Sequence, residues 1–426
     1  MTPSPTNPQQ PAKQPRFFYG WVIVAILSLA SMVAMAMGGL SFGLFIKPMG
    51  DDLGIGRAVF GWAQTARQVT SALSSPNVGQ LIDRFGVRVL LSLAIALTAL
   101  AAIGISAMTE GWQLVALFGV MGVAGLAGGS SLLTSVPIAK WFVRNRGRAM
   151  AITTLGTPVG GVIFVPLTQI LIENAGWRAA WLILAVGGAG LMIPLALIFL
   201  RRDPEDMGLL PDGVVQARTG LTRATTQHDP EQSWTRHQVV RTNTFWRLVF
   251  VFAVVLLGQS TVGVHRIPSF MDRGIDPTLV AYATALDAAA AGVSLFALGF
   301  VVERYPVRYL GAASFGAVAI AIFLTLRADA APVMFASTAT FGLGIGGSLL
   351  LQNYIWAAYY GRRNLGAIRG VVQPITLAFS GIGPPLAGYV RDVTGSYDTV
   401  WWAGLVLVLI GAAVLATSPQ PSSEPN

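Results

Sequence analysis

The sequence predicts an all-α integral membrane protein of about twelve transmembrane helices arranged as two six-helix bundles. Three observations predict it: the composition, the spacing of the apolar runs, and a short charged motif that occurs twice. Of the 426 residues, 54% are hydrophobic and only 11% are charged, and the mean hydropathy is +0.62. Soluble proteins carry about a quarter charged residues. So apolar a chain lacks the polar surface that large soluble domains need around their buried helices.

The elements follow in order along the chain. A polar, proline-rich tail, "MTPSPTNPQQPAKQPR", occupies 1–16. The apolar segment after it runs about thirty residues, too long for a signal-peptide core, and is expected to remain uncleaved. Apolar runs of about 17 to 25 residues then fall near 17–46, 58–80, 89–109, 112–139, 148–173 and 177–200. A second set falls near 246–271, 278–302, 307–327, 331–359, 365–390 and 396–417. The first six make an N-terminal bundle over 17–200, and the last six make a C-terminal bundle over 246–417. Between them, 201–245 reads as a linker rich in Pro, Gly, Thr and mixed charge, with a candidate amphipathic helix near "EQSWTRHQVVR". Residues 418–426 form a second tail.

Lysine and arginine set the orientation. Lys47, Arg57, Arg178, Arg273, Arg327 and Arg391 fall on one side, Arg67 and Arg266 lie within spans, and the others fall on the side of the tails and linker. The positive-inside rule therefore places both termini in the cytoplasm of a multi-pass protein of the cell (inner or plasma) membrane. The same asymmetry accounts for the net charge of +9 without a nucleic-acid partner, since no basic helix with interleaved aromatics stands apart from the loops.

The repeated motif is "GQLIDRFGVR", 79–88, and "GFVVERYPVR", 299–308. Each copy joins the second and third spans of its half on the cytoplasmic side, so the chain reads as a parallel duplication. In the first copy Gly79 and Gly86 permit close approach and unusual dihedrals, and Asp83 can cap a neighbouring helix. Arg84 and Arg88 offer donors to carbonyls, carboxylates or lipid phosphate. Glu303, Arg304 and Arg308 are the counterparts in the second copy, where Pro306 replaces a glycine and stiffens the loop. The plain alternative is a tight, basic loop.

"GQLIDRFGVR" fits in full the G-x-x-x-D-R-x-G-x-R signature of the major facilitator superfamily, and the second copy is a degenerate version. With "FFYGWVIV", "FGLFIKPMGDDLGIGRA", "AKWFVRNRGRAMAI", "NAGWRAAW" and "GPPLAGYVRDVTGSYD", nearly the whole chain resembles the bacterial monocarboxylate and oxalate/formate branch of that superfamily. The resemblance implies a major facilitator fold, no enzymatic activity and no cofactor. It also implies gating by the repeated loop. In that branch an Asp and an Arg share the eighth span, whereas this sequence has only the acid there.

Ionisable groups deep in a span are the clearest functional signal, since each costs roughly 2.5–3.5 kcal/mol or more without a partner or water. Arg67 and Asp287 each lie about ten residues into a span, roughly 15 Å deep. Gln64, Arg67, Gln68, Ser71 and Ser75 form one polar stripe at helical spacing, expected to face the cavity. Arg67 is a candidate for substrate or gating contact, the alternatives being a structural ion pair or a misplaced helix boundary. Asp287 lacks a basic neighbour one turn away on its own helix. It either pairs across helices, with Arg67 as the candidate, or takes up a proton. In the seventh span Gln259 and Arg266 share a face, with Arg266 either lining the site or snorkelling outward, and His265 is a ligand or a satisfied structural histidine. In the tenth span Asn353 and Tyr354 are candidate lining residues, whereas Tyr359 and Tyr360 read as interface anchors. Glycines at 119, 122, 125, 128 and 129, and at 342, 344, 346 and 347, read as helix-packing surfaces.

Several chemistries are excluded. The chain has no cysteine and only three histidines, which leaves no thiolate or HExxH site. It also has no GxxxxGK[ST] loop for ATP. The expected function is secondary transport of a small organic anion, a mono- or dicarboxylate, coupled to protons or exchanged for another anion. Multidrug efflux, in which Asp287 would meet a cation, and a non-transporting membrane sensor are the rivals.

Overall fold

Hydrocarbon offers backbone N–H and C=O groups no partner, so a spanning chain must satisfy them within each helix. The computed structural model describes residues 18–124, 132–142, 144–207, 209, 234–302, 304–361 and 364–421, and among these no strand occurs. The helices are α1 Gly20–Ala36, α2 Phe42–Leu53, α3 Arg57–Ser106, α4 Gly111–Val123, α5 Leu132–Trp141, α6 Arg146–Phe199 and α7 Arg236–Val239. They continue as α8 Asn243–Asp272, α9 Pro277–Val301, α10 Val307–Leu326, α11 Ala331–Tyr360, α12 Leu365–Thr394 and α13 Asp398–Ala416.

Among the described residues eight stretches are long and apolar enough to cross a membrane by length and composition. One of them, α6, folds back at Gly176 (φ 79°) and supplies two crossings. The other crossings of a twelve-helix fold are the arm of α3 before Gly86, α4 with α5, and α12. The α3 arm and α12 carry polar groups such as Gln64, Arg67, Arg369 and Gln373, which lower their hydropathy. Gly86, the second glycine of the repeated motif, turns α3 at φ 78°, a left-handed conformation that a Cβ would strain. Its counterpart Pro306 has φ −56° and opens α10, so the two copies make their turns differently.

The first span departs from its expected limits. It reaches Leu53 rather than residue 46 and is interrupted by an extended Gly38 and a left-handed Gly39 (φ 58°) between α1 and α2. In the linker a short helix does form. Thr235 and Gln238 cap α7 reciprocally, and Trp234 packs against Tyr360.

One apolar core fills the N-terminal bundle from Ile23 to Leu200, and a second fills the C-terminal bundle from Trp234 to Leu415. A third cluster, including Leu44, Val165, Ile267 and Phe270, joins the two bundles. Gly122 and Gly346, one from each stripe, pack as the sequence suggests. A Cβ at Gly122 would lie 2.2 Å from the Arg67 carbonyl, and one at Gly346 would lie 2.2 Å from the Ala291 carbonyl. Gly125, Gly128, Gly129 and Glu303 lie outside the described residues, as do the side chains of Asp83 and Asn353.

The bundles touch chiefly toward the end that carries Asp272. There a Cβ at Gly61 would lie 2.4 Å from the Pro385 nitrogen, and one at Gly388 2.5 Å from the Ala58 Cα. Backbone meets backbone. Asp392 of α12 accepts from the Arg57 and Ala58 amides at 2.8 and 3.0 Å, which caps the start of α3 across the interface. Asp272 receives Lys47 at 3.1 Å, Arg57 at 3.2 Å and Arg391 at 3.5 Å. Thr278 donates to Glu173 at 2.8 Å. At the linker end no ion pair among the described residues crosses between bundles, and Arg84, Arg88 and Arg304 are exposed. The structure is closed at the Asp272 end.

Gly388→Val should therefore open that end. The cysteine-free chain lets this be read with a single Leu44→Cys probe. Its reaction with a membrane-impermeant maleimide is expected to speed up several-fold when Gly388 is valine. An unchanged rate would show that the close backbone contact does not hold this end shut.

Candidate functional site

A cavity of about 450 Å³ lies between the bundles, just past the closed end. Gln64 and Gln68 on α3 and Gln259 on α8 line it, as the sequence suggests, together with Asp287 on α9 and Phe341 on α11. Ser380 on α12 donates to Gln68 across the interface at 3.4 Å. Gln259 donates to Ser348 at 2.9 Å. These contacts place the cavity roughly where Arg67 and Asp287 lie along their helices.

Arg67 sits one layer behind the wall. Its guanidinium lies against Gly38, so closely that a Cβ there would come within 1.8 Å of Nη1, while Gly39, Gln64 and Gln68 line the cavity itself. The residue is 8% exposed. Its Nε has no hydrogen-bond partner, and no acidic side chain among the described residues pairs with it. The break in the first span thus serves a purpose, since a side chain at 38 would occupy the space of this guanidinium. The sequence reading missed that pair of glycines; "MGGL" in mid-span was the available signal.

Asp287 does not pair with Arg67. Its partner is Arg266 of α8, in a buried salt bridge with both side chains at or below 5% exposure. The Arg266 guanidinium also lies over the Phe341 ring, 4.0 Å from its centre, at cation–π distance. Arg266 therefore does not snorkel. An arginine about six residues from the end of a helix reaches neighbouring side chains as readily as the interface, and the acid on α9 decides which. Gly342 admits the carboxylate, because a Cβ there would lie 2.8 Å from its Oδ1. The acid of the eighth span thus finds its arginine on the seventh.

Three tyrosines are corrected, and His265 takes the second of its two readings. His265 is fully buried and away from the cavity, with Nε2 2.8 Å from the Pro384 carbonyl and Nδ1 3.4 Å from the Tyr397 hydroxyl; it is a satisfied structural histidine. Tyr354 is half-buried and packs against the core of its own bundle, not on the cavity wall. Tyr359 and Tyr360 are buried rather than interfacial, the first donating to the Ser418 carbonyl at 3.0 Å and the second 3.1 Å from the Thr242 hydroxyl. Of the gating set, Arg308 lies beside Tyr309, 3.1 Å from its hydroxyl.

A family model described as "Major Facilitator Superfamily" matches residues 26–273. The chain belongs to the major facilitator superfamily. Among curated relatives, monocarboxylate transporter 13 of Bos taurus is 25% identical over 97% of this chain and 94% of its own. The oxalate:formate antiporter of Oxalobacter formigenes is 24% identical over 87% and 85%. Among solved structures, a bacterial homologue of the human lysosomal transporter Spinster superposes with a TM-score of 0.68 at 16% identity, covering 94% of this chain and 97% of its own. The nucleoside transporter NupG superposes at 0.69 with 12% identity, over 92% and 98%. These likenesses show the fold. Superfamily membership makes the chain a membrane transporter and not an enzyme.

The two arginines should respond differently to substitution. Asp287→Asn strands the Arg266 charge in apolar surroundings, at a cost of about 3–5 kcal/mol, whereas Arg67→Gln breaks no ion pair among the described residues. Thermal unfolding of the purified transporter is expected to show a clear loss for the first and little or none for the second. Equal loss in both would contradict the pairing.

Proposed function

We propose that this transporter moves a small organic anion, a carboxylate, by alternating access, with Arg67 supplying the positive charge that draws it in. The observation that carries this reading is a buried arginine without an acidic partner among the described residues, one layer from a cavity between the bundles. A buried charge of this kind is costly, and an anion in the cavity offsets that cost. The carboxylate transporters among the relatives point the same way. Multidrug efflux would put an acid where the free charge stands, and here the acid is already neutralised by Arg266.

The positive-inside asymmetry makes the Asp272 end the outer one, so this state opens to the cytoplasm, where both termini lie. Return to the outward state must separate Asp272 from Lys47 and Arg57, and Asp392 from the start of α3. The repeated loops at Gly86 and Pro306 sit where the opposite gate closes, with Asp83, Arg84, Arg88, Glu303, Arg304 and Arg308 on them. Coupling falls to the Arg266–Asp287 pair. A proton on Asp287 frees Arg266 from its counter-ion, and its loss restores the pair, so proton occupancy and cavity charge are tied together.

Reconstituted transporter should take up carboxylates faster with an imposed inward proton gradient. Arg67→Gln is expected to abolish anion binding. The Arg266→Gln/Asp287→Asn double substitution, which removes both charges at once, is expected to keep binding and lose the pH dependence of net uptake. Normal anion transport by Arg67→Gln would defeat the reading, and retained proton-driven accumulation by the double variant would defeat its coupling half.

A further inference from the structure

The seam between α3 and α12 is antiparallel, and its successive layers set Ala58 against Gly388, Gly61 against Pro384 and Pro385, Thr65 against Gly381, and Gln68 against Ser380. The first two layers seal the Asp272 end, and the last lines the cavity. Thr65 lies between seal and cavity.

A proline inside a helix lacks the N–H that would bond the carbonyl four residues earlier. Pro384 and Pro385 therefore deprive the carbonyls of Ser380 and Gly381 of their partners within α12. Ser380 lines the cavity, whereas Gly381 is buried. The Gly381 carbonyl accepts instead from the Thr65 hydroxyl, which belongs to the other bundle. Membrane helices tolerate proline where a neighbouring hydroxyl meets the freed backbone group. Here that neighbour sits on the body that must move away.

Thr65 itself has a second acceptor, because the Gly61 carbonyl, one turn back on its own helix, lies 3.1 Å from the same hydroxyl. The donor is thus satisfied whether the bundles are joined or parted. The carbonyl has no such reserve. Fully parted bundles give it water, but a slightly parted, dry seam leaves it buried and unpaired, which is disfavoured. Nor can α12 follow α3 outward, since His265 holds the Pro384 carbonyl at 2.8 Å and a Cβ at Gly383 would lie 2.6 Å from Thr261 Oγ1. Both partners are on α8, so that stretch of α12 moves with its own bundle.

We propose that Thr65 is a positioning residue of the outer gate, completing the proline-broken α12 from the opposite bundle and thereby favouring the joined state. The inference concerns the gate alone and holds whichever solute the cavity takes.

Thr65→Val keeps the branched shape and removes the hydroxyl, and Thr65→Ser keeps the hydroxyl. Each is made in the full-length chain carrying the Leu44→Cys probe, and reaction with the membrane-impermeant maleimide is timed. A buried carbonyl left without its partner should make labelling of the valine variant about tenfold faster, while the serine variant stays near the parent rate. Pro385→Ala supplies the missing N–H to Gly381 from within α12, so in that background Thr65→Val is expected to change the rate little. Parent-like labelling of Thr65→Val, or equal acceleration by serine and valine, would overturn the proposal. So would a valine effect of the same size with and without Pro385.

Discussion

A charged side chain in the middle of a membrane protein is costly unless an opposite charge, a polar group or water meets it, and the arrangement of this protein follows from how its central charges are met. Arg266 and Asp287 satisfy each other across α8 and α9. Arg67 has no such partner among the described residues, and the first span gives up its helical continuity at Gly38 and Gly39 where its head group lies. Breaking a transmembrane helix exposes backbone groups, which is tolerated only where the break is buried in protein or lines a cavity. Gly39 lines one. The broken span and the unmatched charge are parts of one device, a positive pole held ready beside a mostly apolar chamber.

The device is useful only if the chamber can face either side of the membrane, and small residues set how. At the Asp272 end Gly61, Gly388 and the prolines at 384 and 385 bring two backbones together. Contact that close has few intermediate positions, since a packed interface is either engaged or parted. The acids at 272 and 392 then add interactions that exist only when the end is engaged. One carboxylate gathers cations from both bundles, and the other caps the first turn of α3. These polar contacts lie at the rim, where water competes for them, so they bias the closed state without making it permanent.

Much of this was legible in the sequence, because periodicity and cost leave marks there. Apolar run lengths give the crossings, a repeated motif gives the duplication, and Gly86 sits where a left-handed turn is required. The depth of Asp287 and the glutamine stripe point to the cavity that these residues line, and Arg67 lies one layer behind it. What failed was partner choice. Helical spacing says which residues share a face, but not which helix lies opposite, so it offers Arg67 as the candidate partner of Asp287 where the fold supplies Arg266. The sequence leaves His265 between a ligand and a structural histidine, and the Pro384 carbonyl, brought there by α12, absorbs its donor and decides for the second. Tyr359 and Tyr360 were read as anchors from their position near a span end; Trp234 and Thr242, coming from the linker side, cover Tyr360. Each miss comes from contacts between distant segments, which a one-dimensional pattern does not encode.

The central claim is that Arg67, rather than Arg266, is the anchor for the anion. A structure of the transporter with 4-bromophenylacetate tests it directly, because the bromine marks the apolar end independently of the carboxylate. The account predicts the carboxylate within hydrogen-bonding distance of the Arg67 guanidinium and no oxygen of that carboxylate on Arg266. A carboxylate bound to Arg266 with Asp287 displaced, and Arg67 without an anion, would contradict it.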